Sequence, residues 1–548
     1  MADFDERRAC AWYDRAKTNR SSFETTWNQL RRVFFPQAQD FTAQNDTQGK
    51  RDRNTAVDGH GVLVANQFAD YIVAAVANPA SKWLSVGLAD GSLEPSPAER
   101  VALEKARDAI LSDLHDPRSN FSDALRAAAK EFGAFGNGAM YTGDRPGILP
   151  LFLQVPLAEA AWEWDADDEL ARFGWKKRWT ALQAAEKFGL DRVGAKVKEA
   201  AESANGEDAP FDFLHVMDRN PDFVTGSDRP AERRWRVRWI EVATFHKVSE
   251  SFLDDSCYAP FTAPRTGQDA YGRGCGDNAL EDTNMAQRVR VVTVRGMEKQ
   301  IDPPTVVPDD GVVSLPTNEA RGLLVVRSEL MRNGNVPVAS LRPEGRPELG
   351  LEISKVLHQA IDQHWYVEYT RLPREPRMPI AQIVGLQEEQ MRALGPLLTA
   401  FQRGVALIVA RVWSIRRLSN RMPDMPAEMA GKPLALKMDA PALRQMLMAE
   451  ARAFIQWLEI IGAAAQVDPA VLGVPKLAEG VAMVGLALGV PPSLINSAAD
   501  IKKSAEARGK VAEEAAGMEQ IKDATTAGKN IAPLLKVLQG GPTEARAA

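Results

Sequence analysis

The segment from residue 301 to residue 350 constrains the fold most, because it carries seven prolines among short runs that favour strands. Proline lacks a backbone N–H and breaks a helix interior, so this segment is predicted to be a small β-rich insert. One helical pattern precedes it, starting near residue 278, and another covers 351–372. The second pattern places four apolar side chains on one face: Leu357, Ile361, Trp365 and Leu372. The sequence therefore predicts a helix, an insert and a second helix in succession.

The end of the first flanking helix is ambiguous in the sequence. Four valines follow each other closely at positions 289, 291, 292 and 294. Because β-branched side chains favour strands over helices, the pattern leaves open whether the helix continues through them or gives way to a strand.

Helical patterns dominate the start of the chain. Amphipathic spacing predicts one long helix from Trp12 to Phe34, ended by Pro36, whose tryptophans are predicted to be core residues. Further helices are predicted at about 60–76, 98–114 and 120–132.

Strand patterns follow at 139–180 and 211–253, with a helical stretch at 180–204 between them. In the clearest strand, at 234–240, Trp235 and Trp239 alternate with arginines. Because successive side chains of a strand point to opposite faces, the tryptophan face is predicted to be buried and the arginine face solvated.

The last third of the chain is again predicted to be helical. Residues 373–379 hold three prolines and are predicted to be a loop, followed by a long helix at 384–417. Gly395-Pro396 lies inside that helix, which predicts a kink. Two further helices and a helical tail are predicted at 440–463, 476–488 and about 498–527. The predicted fold class is α+β, mainly helical and multi-domain, because 548 residues exceed the ~250–300 that one core supports.

Charge and cysteine content exclude several classes of protein. The formal net charge is −6, whereas a protein that grips DNA over a large surface is strongly basic. The three cysteines form no CxxC pair, so neither a disulfide framework nor a zinc cluster is predicted. No signal segment is expected at the chain start. No apolar run reaches the ~18–20 residues of a membrane span, so no membrane partner is expected.

Motifs that carry chemistry are scarce. The sequence holds no P-loop, HExxH or GxSxG pattern, so neither catalytic residues nor a cofactor is predicted. His358 and His364 lie six residues apart, more than one helical turn, and are not predicted to bind a metal. The GxGxG run at 272–276 lacks the full dinucleotide-binding pattern and is predicted to be a flexible loop.

Two charged clusters each have a structural and a functional interpretation. The acidic cluster consists of Glu163, Asp165, Asp167, Asp168 and Glu169. We favour a solvated hairpin turn for it over the paired catalytic carboxylates of a glycoside hydrolase. The basic cluster consists of Arg371, Arg374 and Arg377 and lies beside three prolines. It is either a solvated linker or a loop of positive charges that faces DNA phosphates.

Six short motifs occur in order along the chain. They are Trp27, Leu30 and Pro36; Asp58; Asn78-Pro79 with Trp83; Tyr271-Gly272-Arg273-Gly274; Leu394-Gly395-Pro396; and Gly489-Val490-Pro491. Their order and spacing over about residues 10–500 resemble the head-to-tail connecting (portal) proteins of short-tailed, podovirus-type bacteriophages. The chain departs from the family where Pro379-Ile380-Ala381-Gln382 replaces a frequent Thr-Ala-x-Glu run. The sequence past about residue 500 contains no motif that can be placed in the family.

The resemblance implies a ring of about twelve subunits around a central channel. It divides the chain into a wing (1–277 and 373–500), two stem helices (278–300 and 351–372), a clip (301–350) and a crown or C-terminal tail (501–548). It also places Arg371, Arg374 and Arg377 where family members have a tunnel loop.

By the same resemblance, the ring lies at one capsid vertex of the virion after assembly in the host cytoplasm. It passes double-stranded DNA during packaging, retention and ejection, and its clip docks the terminase and later the tail adaptor. Capsid and scaffold proteins are further expected partners. Two other classes stay open: another phage structural protein, such as a tail adaptor or scaffold, and a hydrolase that uses the carboxylates of 163–169.

Overall fold

The architecture is mixed α+β with helices dominating, as the sequence predicted. A computed structural model describes residues 2–36, 38, 40–41, 57–88, 96–145, 149–203, 206, 208–227, 229–267, 269–301, 305–308, 323–326, 346–367, 380–424, 426, 434–438, 441–464, 477–487 and 490. The chain divides into two units, each described by itself. The first comprises Met1–Ser85, Ala106–Pro423 and Leu436–Met438, and the second Val86–Lys105, Asp424–Ala435 and Asp439–Ala548.

Two helices open the chain where the sequence predicted one. Helix α1 (Ala2–Asn19) and helix α2 (Ser21–Phe34) are separated at Arg20. Arg20 is buried and donates hydrogen bonds to the carbonyl oxygens of Leu157, at 2.9 Å, and Ala160. The prediction of one continuous helix was therefore wrong. The break at Arg20 brings its guanidinium to two buried carbonyl groups, and amphipathic spacing does not reveal such a tertiary contact.

The next helices confirm the predictions for 60–76, 98–114 and 120–132. They are α3 (His60–Val76), α4 (Pro97–His115) and α5 (Phe121–Phe135), with strand β1 (Leu84–Leu88) between the first two. Large aromatic side chains of α2, α3 and α5 lie in the main core of the first unit, among them Phe34, Phe68 and Phe132.

Two antiparallel sheets follow, and all of their strands except the one at 258–262 lie in the predicted strand regions. The smaller one has the order β3–β2–β9 and contains β2 (Asn137–Gly143), β3 (Leu151–Gln154) and β9 (Tyr258–Thr262). The larger one is a meander of β4 (Ala160–Trp164), β5 (Leu170–Thr180), β6 (Pro210–Arg219), β7 (Trp235–Glu241) and β8 (His246–Leu253). Two short helices, α6 (Ala181–Phe188) and α7 (Ala195–Glu202), connect β5 to β6 as predicted.

Strand β7 is where predicted, but the prediction that its arginine face is solvated was wrong. Arg238 is 2% exposed, and it donates to Asp218 at 2.6 Å. The reason is helix α1, whose buried residues form a second core with this side of the sheet, so the strand is covered on both faces. A buried arginine needs such a carboxylate partner, because an unpaired charge is costly away from water.

A helix pair brackets the insert. Helix α8 (Cys275–Asn278) leads into α9 (Leu280–Ile301), which contains all four valines of the ambiguous stretch, so the helix continues through them. In the insert, β10 (Thr305–Pro308) and β11 (Leu323–Val326) form a parallel pair. Helix α10 (Pro347–His364) begins four residues before the predicted helix and ends before its predicted limit.

A single helix, α11 (Ile380–Leu418), spans the predicted 384–417 with Pro396 inside it. Its residues 393–418 are long and apolar enough to cross a membrane. The apolar stripe from Leu394 through Phe401 to Val412 is buried in the main core of the first unit. One face of α11 therefore belongs to the core of the first unit.

In the second unit, α12 (Pro441–Ala464) and α13 (Leu477–Ala487) confirm the helices predicted at 440–463 and 476–488. They pack together where Gly480 lies against the ring of Phe454. Strand β12 (Leu434–Met438) precedes them. The predicted helical tail and the residues flanking Val490 in the last motif lie outside the described residues.

Candidate functional site: the helix pair that brackets the insert

Helices α9 and α10 pack side by side and run antiparallel. Asp282 near the start of α9 pairs with His364 at the end of α10, at 3.2 Å. Farther along α9, Thr293 lies against Gly350 at the start of α10. A Cβ on Gly350 would overlap the Thr293 side chain, so this glycine permits the close approach of the two helices.

Two histidine–aspartate pairs fasten α10 to the start of α3. His358 Nε2 donates to Asp58 Oδ2 at 2.6 Å, and His60 Nε2 donates to Asp362 Oδ1 at 2.9 Å. The two imidazole rings stack on each other, with centroids 4.1 Å apart and planes 14° from parallel. We call Asp58, His60, His358 and Asp362 the clasp. It joins segments of the chain that are about 300 residues apart.

Helix α9 also holds the loop that carries Asp58. The side-chain oxygen of Gln287 accepts hydrogen bonds from the backbone N–H groups of Val57 and Asp58, both at 2.7 Å. Its amide group donates to the carbonyl oxygen of Asp58 at 2.8 Å. The clasp therefore depends on both helices of the pair.

The carboxylate of Asp58 is ionised over a wide pH range. Its burial raises the pKa, but hydrogen bonds from the His358 ring and from the backbone N–H of His60 outweigh the burial and lower the pKa below its ordinary value of 3.8. A carboxylate stabilised in this way is a dependable acceptor at neutral pH. Among the residues that the structure describes, no group of three or more potential ligands could hold a metal ion. The four side chains of the clasp pair with one another and thereby join α10 to the start of α3.

The outward surface of the helix pair exposes several large apolar side chains. On α9, Met285 and Val292 are 53% and 69% exposed, and on α10, Ile353 and Val356 are 50% and 64% exposed. Large apolar side chains that are exposed close together favour interaction with another macromolecule.

The residues singled out in the sequence have different outcomes. Arg371, Arg374 and Arg377 lie outside the described residues. His358 and His364 are not brought together, because they pair with Asp58 and Asp282 respectively.

The GxGxG run was predicted to be a flexible loop, and the structure corrects that prediction. The Asn137 side chain accepts from the N–H of Gly272 at 3.0 Å and donates to its carbonyl oxygen at 2.8 Å. A Cβ on Gly274 would overlap the backbone of Gly136 and Gly133. The run is therefore a fixed crossing of two backbone segments, and its glycines are required because the backbones touch.

The acidic cluster forms a hairpin turn between β4 and β5, as the structural interpretation predicted. Asp165 accepts the backbone N–H groups of Asp167 and Glu169 at 2.9 and 2.8 Å. Glu169 pairs with Arg219 and Arg234. These carboxylates close the turn and bind arginines of neighbouring strands.

Sequence reasoning missed the clasp. The available signal was the spacing of two and four residues, which places Asp58 beside His60 and puts His358 and Asp362 on one face of a helix. Only the fold shows that the two short patterns meet.

The chain is similar to known phage proteins over nearly its whole length. The sequence pattern of the family described as bacteriophage head to tail connecting protein matches residues 6–495. The portal protein of Salmonella phage epsilon15 is 22% identical over 535 residues, which cover 94% of each chain. The probable portal protein of Bordetella phage BPP-1 is 22% identical over 539 residues, which cover 95% of each chain. The chain therefore belongs to the bacteriophage head to tail connecting protein family.

This membership confirms the resemblance found in the sequence motifs. The family is that of phage portal proteins, which are structural components of the virion and not enzymes. The hydrolase alternative for the carboxylates of 163–169 is thereby set aside. Membership also implies an oligomer that works together with other phage proteins.

Proposed function

We propose that the protein forms a ring of about twelve copies at one vertex of the phage capsid. Double-stranded DNA passes through the central channel of this ring during packaging, is retained behind it, and leaves through it on ejection. The observation that carries the proposal is the match over 94% of the epsilon15 portal protein, since a ring component needs all of its contact surfaces and not one domain alone. The exposed apolar surface of α9 and α10 supports it further, because copies in a ring cover such surfaces.

The parts of the proposed ring follow the order of the chain. We assign the wing to 1–277 and 373–500, the stem to 278–300 and 351–372, the clip to 301–350 and the crown or tail to 501–548. The antiparallel pair of α9 and α10 supports the stem assignment, because it carries an insert at one end and is fastened to α3 at the other. The parallel strands β10 and β11 support a clip with a fold of its own.

In this proposal the predicted tunnel loop carries Arg371, Arg374 and Arg377 toward DNA phosphates. Twelvefold repetition turns a single arginine into a ring of charges, so few cations per subunit suffice. Each phosphate contact adds affinity, and many contacts would stall a sliding duplex. A formal net charge of −6 suits a channel that guides DNA without gripping it.

The proposed partners follow from the same arrangement. The clip projects from the capsid, where it docks the terminase during packaging and the tail adaptor afterwards, while the wing contacts capsid and scaffold proteins. Assembly takes place in the host cytoplasm, and no cofactor takes part.

The proposal is tested by the mass and symmetry of the purified protein, measured by mass photometry with class averages of negatively stained particles. A ring of about twelve copies with a central hole is expected. If the protein remains a monomer or dimer, even when co-expressed with the scaffold and capsid proteins of its phage, the proposed ring is refuted.

A further inference from the structure

We propose that a groove along α11 binds an acidic amphipathic helix of a partner protein. The groove has a volume of about 890 Å³, within the range of ~300–1,000 Å³ that is typical of binding pockets. One wall is α11 from Pro396 to Ala410, and the opposite wall comes from the two antiparallel sheets and the segments that join them, with Trp164, Trp235 and Pro264 among its residues. All of the lining residues belong to the first unit. We call this site the α11 groove.

The wall formed by α11 contains a narrow stripe of the kind that packs against a second helix. Five of its residues follow one another at intervals of four, three, four and three: Pro396, Ala400, Arg403, Leu407 and Ala410. This alternation is the 3.5-residue spacing along which two helices pack side by side. The small alanine side chains leave room for the close approach of a helix. From its first residue to its last, the stripe runs about 21 Å along the axis of α11.

The α11 groove exposes a side of this helix that the core leaves uncovered. A different stripe of α11, which includes Phe401, Val405 and Ile408, is buried in the main core. Only 39% of the most apolar stretch of α11 is buried within the chain. None of the five residues of the groove stripe is fully buried. An apolar helix face that covers the stripe removes apolar surface from water, which is the main driving force for association.

The charges of the α11 groove leave one arginine without a partner. Every acidic side chain that lines the groove already has a partner, three of them an arginine and one a hydroxyl group. The pairs are Asp168–Arg265 at 2.8 Å, Glu169–Arg234 at 2.7 Å, Asp254–Arg417 at 2.9 Å, and Asp255 with Ser414. Arg403, in the middle of the stripe, is exposed and forms no ion pair or hydrogen bond with the residues that the structure describes. A carboxylate on the occupant complements this charge.

Two further groups at the α11 groove lack a hydrogen-bond acceptor. Arg411 follows Leu407 by four residues and is 4% exposed, and its Nε and Nη1 atoms have no partner in the described part of the chain. Burial raises the pKa of the Asp255 carboxyl, and the hydroxyl of Ser414 and the positive charge of Arg411 oppose that rise, so Arg411 acts on a residue that lines the groove. Thr262 lines the groove as well, and its buried Oγ1 also lacks a partner within the described ranges. Because a buried guanidinium without a counter-charge is costly, these groups favour an occupant that supplies carboxylate oxygens.

Binding of designed peptides tests the proposal. The probe is a fluorescently labelled helical peptide of about 14 residues, which matches the length of the stripe, with leucines at alternating intervals of four and three and glutamates beside them. A second peptide carries lysine in place of every glutamate. In fluorescence anisotropy with the purified full-length protein, the acidic peptide is expected to bind at least about tenfold more tightly than the basic one. Arg403→Glu should reverse this order, because the lone positive charge of the stripe becomes negative.

Two further variants separate the α11 groove from the rest of the surface. Ala406→Trp fills the groove from an exposed position and should abolish binding of both peptides. Gln402→Glu places the same new charge beside Arg403 but outside the residues that line the groove, so both affinities should change less than about twofold.

Several outcomes would overturn the proposed site. They are the absence of binding, equal binding of the acidic and basic peptides, and unchanged binding in the Arg403→Glu variant. A loss of binding in Gln402→Glu as large as that in Arg403→Glu would assign the effect to the charge of α11 as a whole. If the acidic peptide binds the single chain but not the assembled oligomer, a second copy covers the groove and the partner helix is refuted as its occupant.

Discussion

Removing His358 should loosen the start of α3, although the two lie about 300 residues apart in the chain. His358→Ala deletes the 2.6 Å hydrogen bond to Asp58 and the stack on His60. A hydrogen bond to a charged group contributes about 1.5–3 kcal/mol. The His358 side chain is 32% exposed and that of Asp58 is 12% exposed, so we expect the lower end of this range, about 1.5 kcal/mol.

Amide hydrogen exchange measures this loosening directly. A change of about 1.4 kcal/mol is tenfold in an equilibrium constant, so the first turns of α3 should exchange about tenfold faster in the variant. The matched control is His364→Ala, because the His364–Asp282 pair is longer, at 3.2 Å, and both side chains are more than one third exposed. The control should change exchange less than about twofold.

The pH dependence has a definite sign. Because the pKa of Asp58 is lower in the folded protein, its ionised form stabilises the fold above the ordinary value of 3.8, and this contribution is lost as the pH falls through the lower folded value. The difference between wild type and His358→Ala should persist at about pH 5 and shrink as the pH falls below 3.8. Equal exchange in both proteins at pH 5 would show that the clasp does not hold α3, whereas a difference that stays constant below pH 3.8 would show that the His60 stack, and not the Asp58 carboxylate, holds it.

Three further predictions concern the clip, the tunnel loop and the backbone crossing. Deletion of residues 301–350 should leave ring formation possible but abolish docking of terminase or tail adaptor in a pull-down; normal docking refutes the clip assignment. In the predicted tunnel loop, substitution of glutamate for Arg371, Arg374 and Arg377 should lower the DNA content of particles without preventing their assembly. Unchanged DNA content would refute the proposed role of these arginines in guiding DNA. Gly274→Ala should destabilise the protein by about 1–3 kcal/mol, because its Cβ overlaps the backbone of Gly136. Gly296→Ala, with open space around its Cβ, should stabilise it by about 0.5–1 kcal/mol; equal denaturation midpoints for the two variants would contradict the role of the crossing.

Local patterns predicted the elements of this fold well, because they depend on residues close in the chain. Helices α3, α5 and α12 and strand β7 lie where periodicity places them. The valines of α9 show the limit of propensity, since they are helical despite their preference for strands, in a helix that packs against α10 through other residues such as Thr293.

The errors share one physical cause, which is contact between distant segments. Arg20 interrupts a helix in order to reach carbonyl groups near residue 160, and Arg238 is buried because α1 covers its sheet. Neither partner is near the arginine in sequence. The clasp was missed for the same reason, whereas the family resemblance survived because it depends on the order of motifs and not on their contacts.

The three cysteines bear on how the protein endures outside its host. Cys10, Cys257 and Cys275 are free and buried, and burial raises their pKa to about 11, 12 and 12. Oxidants attack the thiolate form, which is scarce in all three at neutral pH. In a virion component that meets oxidants, these buried thiols are therefore poor sites for cross-linking. The covalent structure of the folded chain thus changes little on exposure to air.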